Sequence, residues 1–156
     1  MSNDVYGYLL PDLNKDYAGQ LKNYIGANSL KIQKIEKNKL FNYPADLIPN
    51  QYAFIFDIAD GSNSVNATYL IDYNEYDPDT ADIGFPANPK ERLNILIDTL
   101  IDMIKITNAS KMVVSMTECN QIETIKKINF SEMREVIHTD FEEYQGPPDT
   151  LYEIIC

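Results

Sequence analysis

The 156-residue chain contains no tryptophan, only one histidine and two cysteines, and its six glycines all stand apart from one another. Isolated glycines exclude the glycine-rich loops that hold dinucleotides or phosphates. Cys119 and Cys156 are too few for a disulfide framework and lack the spacing of metal ligands. The absence of tryptophan weighs against a sugar-stacking cleft with paired catalytic carboxylates. We therefore expect neither a cofactor nor a metal ion.

Long apolar runs are also missing, and none approaches the twenty or so residues that a membrane span requires. The first residues, Met1 to Val5, contain no basic stretch followed by an apolar one, which is the pattern of a secretory signal. We therefore expect a cytoplasmic protein that does not associate with membranes.

Negative charge is abundant and unevenly distributed, with a net charge of -11. The first 39 residues hold six lysines and four acids, whereas residues 40–156 hold seven basic residues and twenty acids. A field of this sign repels nucleic acid and attracts basic proteins. The charge therefore predicts a basic protein partner and no nucleic acid.

Hydrophobic periodicity predicts a single globular domain over 1–156 of the α/β (α+β) class, with a mixed sheet of about five to seven strands and about three helices. Alternating or continuous apolar runs predict strands at 5–10, 52–58, 67–73, 112–117 and 150–155. The strands at 52–58 and 67–73 are expected to form a hairpin. Residues 29–40, with interspersed lysines, favour an edge strand, and 122–128 fits a strand or a helix.

Helical spacing of apolar residues predicts three helices. The first runs from Leu13 to Ile25 with Gly26 as its C-terminal cap. The second begins at Asn88 and Pro89, a strong helix start, and the third follows Ser131 as its cap.

Two acidic, tyrosine-containing clusters are the candidate partner-binding residues. The first lies in and before a long loop at 74–88, which does not match a calcium-binding loop because Asp82 and Asn88 stand where glycine and glutamate are required. The second surrounds the end of the third helix and also includes Asp140. Tyrosine and carboxylates suit an interface with a basic partner, although such clusters also serve as plain solvated surface. The predicted contact residues are Asp72, Tyr73, Glu75, Tyr76, Asp77, Asp79, Asp82, Glu142, Glu143 and Asp149.

An enzymatic alternative is a hydrolase or transferase that uses carboxylates together with Cys119 or His138. Neither residue has an activating neighbour in the sequence, and a lone cysteine after a strand is typically a buried core residue. A third alternative is a structural or regulatory subunit that self-associates through an exposed edge strand. We expect a monomer or a homodimer.

The small size, the acidity and the tyrosine-rich acidic run at 69–79 resemble the bacterial immunity proteins that are paired with polymorphic or contact-dependent toxins. This resemblance implies a non-enzymatic inhibitor. Such a protein covers the active site of a basic toxin, often a nuclease, by presenting carboxylates where phosphates would bind.

Overall fold

A computed structural model describes residues 2–74 and 84–156. In these residues one sheet of six strands packs against three helices, as the sequence predicted. The strands are β1 (Asn3–Leu10), β2 (Lys31–Lys34), β3 (Phe54–Ala59), β4 (Lys111–Glu118), β5 (Thr124–Asn129) and β6 (Thr150–Ile155). The helices are α1 (Ala18–Ala27), α2 (Pro89–Thr107) and α3 (Met133–Tyr144).

The strand order in the sheet is β2-β3-β1-β4-β6-β5. Neighbouring strands are antiparallel except β5 and β6, which are parallel, so the sheet is mixed. The first strand lies in the interior of the sheet, and β6 is inserted between β4 and β5.

The main core lies between one face of the sheet and the three helices. Because side chains alternate across a strand, Gly7, Phe56, Val114 and Tyr152 lie in one cross-strand row on this face. The apolar face of α2 includes Leu93, Leu96, Ile97 and Leu100, which are fully buried here.

A smaller core covers part of the opposite face. The segment between β2 and β3 crosses this face and forms two short 3-10 helices, Lys37–Leu40 and Ala45–Leu47. Tyr8 of β1 is buried beneath this segment, against the buried Tyr43 of the segment itself, and the Tyr8 hydroxyl donates to the carbonyl oxygen of Leu47 at 2.9 Å.

The predicted hairpin between 52–58 and 67–73 is wrong, because residues 67–71 form a helical turn and residues 67–73 contain no strand. The amide of Ile71 donates to the carbonyl of Ala67, an i to i-4 bond typical of a helix. Ala67, Leu70 and Ile71 are buried together at the helical spacing i, i+3, i+4.

Four local predictions also need correction. Gly26 lies inside α1, which begins only at Ala18 and is followed by Asn28 as C-cap. Ser131 does not cap α3, because it lies inside a 3-10 turn, Phe130–Glu132, that precedes α3 and has a capping box formed by Asn129 and Glu132. Cys119 is exposed, not buried, and adopts a left-handed φ of 56° in the turn after β4.

The edge strand predicted at 29–40 is limited to β2, although β2 does lie at an edge.

Other local predictions are confirmed. Asn88 caps α2, accepting hydrogen bonds from the amides of Lys90 and Glu91, and Pro89 is its first residue. Residues 122–128, which fitted a strand or a helix, lie largely in β5 (Thr124–Asn129). No helix in the described ranges, 2–74 and 84–156, is long and apolar enough to cross a membrane.

Candidate partner-binding surface

The two acidic clusters meet at one hydrogen bond. The Tyr73 hydroxyl donates to Glu142 Oε2 at 2.9 Å, although the two residues are 69 positions apart in the sequence. Tyr73 is only 7% exposed and its ring packs against Phe141, whereas the carboxylate of Glu142 faces solvent. The turn before residue 75 and the last turn of α3 are therefore parts of one surface.

Three side chains interact at this contact: Tyr73, Glu142 and Lys90. Glu142 also forms an ion pair with Lys90 Nζ at 3.4 Å. The Tyr73 hydroxyl, and then Lys90, lower the pKa of Glu142 below its ordinary value. Burial and the adjacent Glu142 raise the pKa of Tyr73 to about 12, so Tyr73 stays a hydrogen-bond donor at neutral pH.

A buried arginine fixes the backbone around this surface. Arg92, on the first turn of α2, is 1% exposed, and its guanidinium donates to five backbone carbonyl oxygens. Four of these bonds measure 2.7 to 3.0 Å. The five carbonyl oxygens belong to Tyr69, Asp72, Asn74, Pro86 and Ala87. Arg92 thus joins the chain on both sides of residues 75–83 to α2.

The buried carboxylate of Asp60 also holds this backbone in place. Asp60 accepts hydrogen bonds from the amides of Tyr69 and Leu70, each at 3.0 Å. Burial raises the pKa of Asp60, while these amides and the charge of Arg92 oppose the rise. Asp60 and Arg92 together therefore hold the 67–74 turn through its backbone.

No protein-family model, curated protein or solved structure matches this chain. Its function is therefore inferred from its residues and their contacts.

The predicted contact residues lie in different surroundings. Asp72 is half-buried and accepts a hydrogen bond from Asn74 Nδ2 at 2.7 Å, whereas Glu143 is exposed. Asp149 lies before β6, where its Oδ1 accepts from the amide of Glu118 at 2.8 Å. Glu75, Tyr76, Asp77, Asp79 and Asp82 lie outside the described residues. A contact role for these residues stays a prediction.

Asp140 belongs to the second cluster in sequence but not on the surface. It is buried, receives a hydrogen bond from the Tyr152 hydroxyl at 2.8 Å and pairs with Lys126 Nζ at 2.7 Å. Its carboxylate is therefore committed to joining α3 to the sheet.

The two residues of the enzymatic alternative make other contacts. His138 Nε2 lies 2.7 Å from Asn94 Oδ1, in a groove between α2 and α3 that Lys90 and Glu142 also line. Burial lowers the pKa of His138, and the positive charges of Arg134 and Lys90 lower it further. Cys119 lies in the turn after β4, where its amide donates to the carbonyl of Ser2. The enzymatic alternative stays a prediction.

Sequence reasoning missed Arg92 and Lys90. The available signal was their position in the first turn of a well-predicted helix directly after the acidic loop, where a basic residue can reach back to the preceding chain. In the portion of the chain that the structure describes, no group of three or more histidine, cysteine or acidic residues is placed to hold a metal ion.

Proposed function

We propose that this protein binds a basic protein partner through the surface formed by the 72–74 turn and the end of α3, and that it acts as an immunity protein. The observation that carries the proposal is the Tyr73–Glu142 hydrogen bond, which joins two acidic clusters that are distant in sequence. A continuous acidic surface suits a cationic partner better than two separate ones, because its potentials add.

The hydrogen bonding of the 72–74 turn supports the proposal. Arg92 and Asp60 hold the backbone that leads into this turn, so less conformational entropy is lost there when a partner binds. Glu142 and Glu143 leave their carboxylates accessible. The acids at 75, 77, 79 and 82 lie in the sequence between Asn74 and Ala87, whose carbonyl oxygens both accept from Arg92, and by sequence they are proposed as further contacts.

The net charge of -11 supports electrostatic steering of such a partner. A basic nuclease toxin is the partner class implied by the resemblance to immunity proteins. Its active site binds phosphates, and a carboxylate surface occupies the same positions with the same sign of charge.

The test is a binding assay between the tagged protein and each basic product of the adjacent genes, followed by an assay of toxin neutralisation. Reversing two exposed charges, Glu142→Lys with Glu143→Lys, should slow association at least about tenfold at low salt. The matched control is Glu36→Lys with Asp46→Lys, which changes the net charge equally at exposed positions outside the proposed surface. This control should slow association by no more than about twofold.

Equal losses in the two double variants would show that net charge, and not this surface, directs binding. If no basic gene product binds at low salt, the immunity proposal is wrong.

A further inference from the structure

We propose that the outer edge of β5 pairs with β5 of a second copy of this chain, in an antiparallel register centred on Ile125. This inference goes beyond the proposed function and does not depend on it. It rests on the backbone, the exposure and the charges of residues 123–127.

The outer edge of β5 has no neighbouring strand among the described residues. On the inner side, the amides of Glu123 and Thr124 both donate to the carbonyl of Asp149, and from Thr124 onward the even-numbered residues of β5 direct their peptide groups towards β6. Because peptide groups alternate along a strand, those of Ile125 and Lys127 point outward. These outward groups provide the hydrogen bonds for a further strand.

The side chains next to these peptide groups fit a second copy. Ile125 is 52% exposed on the sheet face away from the helices, so it presents an apolar side chain to a partner strand. Glu123 and Lys127 flank it at two residues on either side and are both exposed. On a strand, positions separated by two residues share a face.

Symmetry and charge together select the register. In an antiparallel pair related by a twofold axis at Ile125, each Ile125 faces its symmetry copy, and each Glu123 faces Lys127 of the other chain. An axis at Lys126 would instead place Lys126 opposite itself and Ile125 opposite Lys127. An axis at Thr124 would place Ile125 opposite Glu123. Only the register centred on Ile125 pairs apolar with apolar and acid with base.

The remaining charge in the strand does not oppose this pairing. Lys126 lies on the helical side of the sheet, where its Nζ pairs with buried Asp140 at 2.7 Å. The opposite edge of the sheet is less suitable, because β2 has only four residues and the chain enters a 3-10 helix at Lys37.

Sedimentation of the full chain from about 1 µM to about 1 mM tests the inference. We expect a reversible monomer–dimer equilibrium. Glu123→Lys and Lys127→Glu should each weaken the dimer roughly tenfold, because each creates two like-charge pairs. The double variant, which exchanges the two charges, should restore the wild-type dissociation constant. Lys34→Glu on β2 is the control and should leave that constant unchanged.

The two single variants change the net charge in opposite directions, so weakening by both cannot arise from overall repulsion. Far-ultraviolet circular dichroism confirms that each variant is folded. A chain that stays monomeric throughout, including one whose edge pairs only with a different protein, would overturn the inference. A dimer that neither single variant weakens would equally overturn it.

Discussion

A single side chain, Arg92, joins the backbone on both sides of residues 75–83 to α2. Carbonyl oxygens that lose their partner away from water are costly, and here five carbonyl oxygens share one buried guanidinium. The planar guanidinium with its five N–H groups is suited to this task, whereas a lysine ammonium has only three donors at one point.

Arg92→Met should therefore lower the free energy of unfolding by about 3 kcal/mol, because it removes the buried donor that five backbone carbonyl oxygens share. Urea denaturation measures this change. Arg134→Met is the control, since Arg134 is exposed and pairs with exposed Asp98 on the surface, and it should cost less than about 1 kcal/mol. Similar losses for the two variants would contradict a structural role for the carbonyl contacts.

Contacts between individual residues were the hardest feature to predict from the sequence. Both acidic clusters could be recognised from composition, but the Tyr73–Glu142 contact could not, because it depends on how α3 packs beside the 67–73 turn. Likewise, Asp140 looks like a surface acid in sequence and is buried by its contacts with Lys126 and Tyr152. Contacts between residues far apart in the chain leave no local pattern.

At the level of elements, β1 lies in the interior of the sheet, with β3 and β4 on its two sides. At Gly7 the neighbouring backbone approaches closely. A Cβ atom there would lie 2.5 Å from the carbonyl oxygen of Val113 and 3.1 Å from Val114 Cα. A strand interior normally disfavours glycine, so this close approach gives the physical reason for it.

Gly7→Ala should destabilise the protein by about 2 kcal/mol, since the clash is with backbone that cannot move without shifting β4. Gly26→Ala is the matched control. It lies in α1 with no atom within 4 Å of the added Cβ, and it should stabilise the protein by about 0.5 kcal/mol. Thermal unfolding of both variants checks the opposite signs. A neutral Gly7→Ala variant would show that the sheet adapts to the extra atom.

Elements with strong local signals were predictable, and those decided by tertiary contacts were not. Asn88 and Pro89 encode the start of α2 in the sequence itself. Residues 67–73 are rich in β-prone residues, yet Asp60 binds the amides of Tyr69 and Leu70 and favours a helical turn. The insertion of β6 between β4 and β5 could not be read from the order of elements along the chain.

On the scale of the whole molecule, several carboxyl groups oppose folding when they are ionised. Burial raises the pKa of Asp4, Asp57 and Asp60 above the ordinary value of 3.8. A raised pKa in the folded state means that the stabilising contribution is complete below pH 3.8 and is lost as the pH rises through the folded-state pKa. Asp12 behaves oppositely, because hydrogen bonds from Asn14 and Asn108 lower its pKa.

As the pH rises from about 4 to about 7, the free energy of unfolding of the Asp57→Asn variant should therefore increase relative to that of the wild type. At pH 7 the variant should be more stable by about 0.5 kcal/mol. The value is small because water partly screens this half-buried group. Asp12→Asn should show the opposite trend at lower pH: it should be less stable than the wild type above pH 3.8, and this difference should disappear as the pH falls through the lowered pKa of Asp12. Urea denaturation at several pH values measures both curves, and parallel curves for Asp57→Asn and the wild type would contradict the assignment.

The interior position of β1 also affects how quickly the chain folds. Its pairing partners begin at Phe54 and Lys111, so this strand can pair only after long loops have closed. Closing such loops costs conformational entropy before any stabilising contact has formed, and this slows folding. We expect folding on a timescale of milliseconds to seconds, typical of sheets built from distant strands. During synthesis, Asn3–Leu10 therefore stays without its strand partners until Phe54–Ala59 has emerged from the ribosome.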